Sequence, residues 1–141
     1  MFRIETLHHV SVPVRNLDES MRFYEEVLGL ARIERPPFGF GGAWYQLGDR
    51  QLHLICDEKV KATFREAKRL DSRDVHFAIR VASYRETRDY LRSKGYHKDA
   101  DDELMEMKES PDNPTNWRQL YIMDPNRNVI ELNAERLGEE V

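Results

Sequence analysis

Apolar and polar positions alternate with period two at two places that share a common spelling. His9-Val-Ser-Val-Pro-Val14 places Val10, Val12 and Val14 on one face, with His9, Ser11 and Pro13 on the other. His76-Phe-Ala-Ile-Arg-Val81 does the same with Phe77 and Ile79 against His76 and Ala78. Each run leads into a helix start: Asn16 with Glu19 three positions on, and Ser83 with Glu86. His9 and His76, Asn16 and Ser83, and Glu19 and Glu86 each stand 67 residues apart. A strand–helix unit has therefore been duplicated, with a histidine at the head of each copy.

The remaining pattern extends both copies. In the first half, a helix carrying Met21, Phe23, Tyr24, Val27 and Leu28 should stop near Gly29. A short strand 31–35 follows, then an aromatic-bearing flexible loop 38–42 and a hairpin of 43–47 with 51–56. In the second, strand 74–81 leads to helix 83–94, a stop at Gly95 and a short strand 96–99. A long mobile loop is predicted for 100–116, then a hairpin of 117–123 with 128–133 about Asp124-Pro-Asn-Arg127. The prediction is an α+β fold of two βαβββ modules, about 5–56 and 73–135, joined by a polar connector 57–72. Modules of this size bury little alone, so they should pair through their sheets.

Strand parity singles out four polar side chains. His53 lies opposite Leu52 and Leu54, and Glu131 lies opposite Ile130 and Leu132, as His9 and His76 lie opposite their own apolar neighbours. Three imidazoles and one carboxylate on the face no helix covers suit a divalent metal: zinc, nickel, cobalt, manganese or iron. His9, His76 and Glu131 are the principal candidates and His53 the fourth. Trp44, Gln119 and Tyr121 share that parity and are candidate substrate-pocket residues, with Phe38 and Phe40 as a lid. His8 has the other parity and is expected to pack at a sheet edge. His97, just after a helix stop, is expected at the surface.

Composition narrows the partners. The 141 residues carry a net charge of −4, which disfavours a nucleic-acid partner. The basic stretch of Lys59, Lys61, Arg65, Lys68 and Arg69 is broken by Asp57, Glu58 and Glu66 and reads as a solvated face. The single Cys56 excludes an intramolecular disulfide and a zinc–thiolate motif. No segment reads as a signal peptide or a membrane span, so a soluble cytoplasmic protein is expected.

The chain resembles the vicinal-oxygen-chelate superfamily, which includes glyoxalase I, methylmalonyl-CoA epimerase, fosfomycin-resistance thiol transferases, bleomycin-resistance proteins and extradiol dioxygenases. The resemblance rests on His8-His9-Val-Ser-Val12, Asn16-Leu-Asp-Glu-Ser-Met-Arg-Phe-Tyr24, Val27-Leu-Gly-Leu30 and Asp124-Pro-Asn-Arg-Asn-Val-Ile-Glu131-Leu132. Arg35-Pro-Pro-Phe-Gly-Phe40, Gly42-Ala-Trp44 and Gln51-Leu-His53-Leu-Ile55 look like a subgroup of short glyoxalase-like proteins. The resemblance implies one domain, its two modules forming a curved, cleft-bearing mixed sheet with helices outside, and a homodimer. It implies that His9, His76 and Glu131 bind a divalent ion, with Glu131 moving a proton on a small substrate chelated through neighbouring oxygens. His53 stands where glyoxalase I has glutamate and the epimerase glutamine, which argues against authentic lactoylglutathione lyase activity. Arg127 stands where the family's closing turn usually has glycine, so a strained turn is expected. The alternatives are a metal-independent drug- or metabolite-binding resistance protein, and a non-haem iron dioxygenase. The latter ranks lower because common ring-cleaving relatives have four modules.

Overall fold

A computed structural model of the chain describes residues 1–63, 67–136 and 138. It divides into two compact units, Met1–Phe64 and Arg65–Val141. Each holds a four-stranded mixed sheet, and the α+β architecture is that of the sequence pattern.

In the first unit, β1 (His9–Pro13), β2 (Arg32–Ile33), β3 (Gly41–Leu47) and β4 (Arg50–Cys56) are ordered β1-β4-β3-β2. β1 runs parallel to β4 and the other pairs are antiparallel. Helix α1 (Leu17–Arg22) starts where the Asn16 side chain accepts the Glu19 N–H at 3.1 Å. It does not continue as a regular α-helix. Residues Phe23–Val27 widen into a π turn, Leu28 N–H reaching back to the Phe23 carbonyl at 3.2 Å. That turn buries Phe23 and Tyr24. They join a core that includes Val12, Val14, Ala43, Tyr45, Leu52 and Leu54, the apolar parity of the strands.

In the second unit, β5 (His76–Arg80), β6 (Lys108–Ser110), β7 (Trp117–Met123) and β8 (Val129–Glu135) take the same relative order, β5-β8-β7-β6. Helix α2 (Tyr84–Ser93) repeats the cap of the first, Ser83 Oγ accepting the Glu86 N–H at 3.1 Å. Its Tyr84 and Leu91 are buried, as are Leu120, Ile122, Ile130, Leu132 and Ala134 of the sheet. The same local code thus yields the same topology twice.

Two expectations change and one holds. Residues 96–99 form no strand, only an isolated bridge between His97 and Glu106. The edge strand comes instead from Lys108–Ser110, inside the stretch predicted as a mobile loop. Fully buried Met107 anchors it and Arg92 pairs with Glu109 at 2.5 Å, tertiary contacts invisible to a local pattern. Arg127 does adopt a left-handed φ of 63°. Its guanidinium compensates by donating to the Lys68 carbonyl at 2.5 Å and to Glu103 at 3.1 Å, and Asp124 ties the turn by accepting from the N–H groups of Asn126 and Asn128.

The connector opens with a 3₁₀ segment, Glu58–Thr63. Arg69 is exposed and pairs with Glu103, but Lys68, expected on a solvated face, has a side chain only 13% exposed and pairs with Asp74. Arg65, Glu66 and the side chain of Lys61 lie outside the described residues.

Candidate metal half-sites

In the second unit, β8 carries Glu131 directly opposite Tyr121 of β7 and beside Ala78 of β5. The residue is only 5% exposed, which by itself would oppose ionisation of its carboxyl group. Burial does push the pKa up, but amide N–H groups of Asn133 (2.8 Å) and Gln119 (3.0 Å) on Oε1, with His76 nearby, outweigh it and hold the pKa below the ordinary carboxylate value. The other oxygen, Oε2, faces Nε2 of His76 at 3.2 Å. His76 Nδ1 lies 2.7 Å from the Asp74 carbonyl oxygen. A carbonyl only accepts, so Nδ1 carries a hydrogen. Nε2 and Oε2 share a proton between them or, with that proton gone, turn their lone pairs toward a cation.

Tyr121 stands edge-on to the His76 ring, centroids 5.7 Å apart, and burial followed by the Glu131 charge pushes its pKa to about 12. It is neutral at physiological pH. At the far end of the same face, the Arg80 guanidinium lies 5.4 Å from the centre of the Trp117 ring.

In the first unit, the sheet register sets Ser11, His53 and Trp44 in one row, with His9 and Gln51 in the next. Trp44 and His53 stack with centroids 3.9 Å apart and planes 2° from parallel. His9 covers the other face of His53 at 4.1 Å and 17°. Nε2 of His53 is 2.8 Å from Gln51 Oε1. Burial, followed by positive charge at His9, His8 and Arg35, lowers its pKa to about 4, so the ring is neutral at pH 7.

His8 departs from expectation. It is exposed, and its Nδ1 is 2.9 Å from Nδ1 of His9. Strand parity does not register this, because the contact forms at the residue where β1 begins. His97 is exposed, as expected. The loop of Phe38 and Phe40 is pinned by Arg35, which donates to the Phe40 carbonyl at 2.8 Å and lies about 5 Å from both rings. A Cβ at Gly42 would meet the Leu54 carbonyl at 2.4 Å and Arg35 Nε at 2.9 Å, so this close approach requires glycine.

Each predicted pocket residue touches a candidate ligand or its stacking neighbour: Trp44 touches His53, Gln119 touches Glu131, and Tyr121 touches His76. Among the described residues, no group of three or more His, Cys, Asp or Glu side chains is placed to hold a metal ion. The first unit holds His9 and His53, and the second His76 and Glu131.

Duplicated βαβββ units, each presenting imidazole or carboxylate from an uncovered sheet face, define a two-module protein of the vicinal-oxygen-chelate class. The chain belongs to the Glyoxalase/Bleomycin resistance protein/Dioxygenase superfamily, whose family model matches residues 6–132. A stretch of 54 residues is 46% identical to Glyoxylase I 4 of Arabidopsis thaliana, covering 38% of this chain and 31% of that protein. The match spans under a third of that relative.

Among solved structures, a glyoxalase family protein from Bacillus anthracis superposes with a TM-score of 0.73 at 21% identity, over 96% of this chain and 99% of that one. The fosfomycin resistance protein FosX of Listeria monocytogenes gives 0.69 at 18%, over 99% and 100%. A mutant of that protein, complexed with manganese(II) and 1S,2S-dihydroxypropylphosphonic acid, gives 0.68 at 17%, over 96% of each chain. At these identities the likeness establishes the fold. No helix among the described residues is long and apolar enough to cross a membrane.

Proposed function

We propose that the protein is a metal-dependent, glyoxalase-like enzyme in which His9, His76 and Glu131 hold one divalent ion. The observation that carries this reading is the His76–Glu131 pair, whose Nε2 and Oε2 face each other across 3.2 Å. A first-row divalent ion fits these nitrogen and oxygen donors. The manganese(II) found with the FosX mutant supports a divalent ion in this fold. Bound there, the ion would supply Lewis acidity toward two neighbouring oxygens of a small substrate.

The protein's own groups divide the remaining work. Asn133 and Gln119 anchor Glu131 Oε1, leaving Oε2 as the oxygen able to take up and return a substrate proton. The Asp74 carbonyl sets the tautomer of His76. Tyr121 stands edge-on to His76 in the second unit, and Trp44 stacks on His53 in the first. A lyase- or isomerase-type proton transfer follows from one such carboxylate, in a homodimeric, cytoplasmic protein on this reading.

Elemental analysis of protein purified without chelator tests the proposal. Wild type should carry stoichiometric metal, and His9→Ala, His76→Ala and Glu131→Ala should each lose it; full retention in all three sinks the proposal. Hemithioacetals, acyl-CoA thioesters, catechols and fosfomycin then form the substrate panel.

One observation favours a second reading, sequestration of an aromatic ligand without metal: Phe38 and Phe40 are exposed and stacked 5.4 Å apart. Metal-free native protein that binds aromatic compounds tightly would favour it.

A further inference from the structure

Of the four polar side chains that strand parity brings to the uncovered faces, His53 has the least ordinary surroundings. Both faces of its ring are covered, by Trp44 at 3.9 Å and His9 at 4.1 Å, and its residue exposure is 6%. An imidazole ligates through a lone pair that lies in the ring plane. Rings stacked 17° from parallel, with centroids 4.1 Å apart, hold those lone pairs in two nearly parallel planes, so an ion at bonding distance in one plane stands off the other. An ion held by His9 at about 2.1 Å lies in the plane of His9, where His53 presents its π face and no lone pair. The outer nitrogen of His53 is moreover engaged by Gln51 Oε1 at 2.8 Å.

We propose that His53 is a positioning residue and not a metal ligand: clamped between Trp44 and His9, it fixes the His9 ring so that the nitrogen turned away from His8 faces the ion. His8 holds one edge of the His9 ring through Nδ1, at 2.9 Å, while His53 holds its face. Between them they restrict both the tilt and the rotation of the ring, which is the preorganisation a metal ligand needs. The ligand set is then two imidazoles and one carboxylate, and one more position is open to substrate than a four-residue set would leave. The inference rests on the metal reading above.

Two measurements on the 141-residue chain test it. X-ray absorption of wild-type protein loaded with zinc(II) should show two imidazole ligands; three would overturn the assignment. Zinc affinity, measured by competition with a chromophoric chelator, separates stacking from ligation. His53→Phe keeps a flat ring without nitrogens and should bind within about threefold of wild type, whereas His53→Ala should weaken binding about tenfold, the lower end for loss of a supporting partner. Equal losses in both variants would overturn the proposal. If His53→Phe does not fold, judged by circular dichroism, the wild-type spectrum decides by itself. A wild-type chain that takes up none of zinc, nickel, manganese or iron overturns the metal reading and the His53 role with it. Three imidazoles overturn only the latter.

Discussion

His76 and Glu131 meet at 3.2 Å through Nε2 and Oε2, and each is held from behind. The imidazole is held at Nδ1 by the Asp74 carbonyl, and the carboxylate at Oε1 by two side-chain amides. The atoms of the pair that meet are thereby the ones not held from behind. The repeat-equivalent His9 shows a related arrangement, its Nδ1 engaged by His8. Duplication has preserved a principle, one nitrogen tied and one available, while changing the group that ties it.

The amides behind Glu131 should matter to metal binding although neither is a ligand. Asn133→Ala or Gln119→Ala should weaken zinc affinity about 10- to 100-fold, the range for loss of an outer partner. Isothermal titration of each variant checks this, and unchanged affinity in both would remove the proposed anchoring.

The two helix caps offer a comparison within one chain. Asn16→Ala and Ser83→Ala each remove a side-chain acceptor from the N–H three residues on, at the same 3.1 Å. Each should cost about 1 kcal/mol. Since the caps lie in different units, the double variant should cost about their sum, near 2 kcal/mol, in urea unfolding.

Arg127 separates backbone strain from side-chain bonding. Arg127→Ala keeps the left-handed φ of 63° but loses the bonds to Lys68 and Glu103. Arg127→Gly loses the same bonds yet relieves the backbone. The alanine variant should therefore be the less stable of the two by about 1 kcal/mol. Equal stabilities in chemical denaturation would mean the turn carries no strain.

Acid should weaken the fold partly through Glu25. Its hydrogen bond from Arg32 at 2.8 Å, assisted by the Tyr45 hydroxyl at 2.9 Å, keeps its pKa below the ordinary carboxylate value despite an opposing effect of burial. Because the folded value is depressed, the stabilisation is complete above the unfolded pKa of about 4.3 and fades as pH falls through the folded value. The Glu25 side chain is 30% exposed and that of Arg32 52%, so solvent screening limits the effect to about 0.5 kcal/mol. Glu25→Gln should be less stable than wild type at pH 7, and the gap should close toward pH 3; a gap independent of pH would assign the loss to packing.

The elements that could be read from the chain are those whose cause is local. Alternation about Val10, Val12 and Val14, and again about Phe77 and Ile79, follows from strand geometry, and the caps at Asn16 and Ser83 follow from one side chain meeting one backbone N–H. The 67-residue offset made the second unit legible from the first, and parity separated His9, His53, His76 and Glu131 from the core. What escaped depended on neighbours distant in sequence. The π turn at Phe23–Val27 accompanies the burial of two aromatic rings, and the edge strand at Lys108–Ser110 depends on Met107 and on the Arg92–Glu109 pair. Parity told which face His53 occupies, but only the register of β3 and β4, with Trp44 directly opposite, decided that its ring would be sandwiched. A side chain's direction is a property of its own strand; whether it ends as a ligand or as a support is set by the strands beside it.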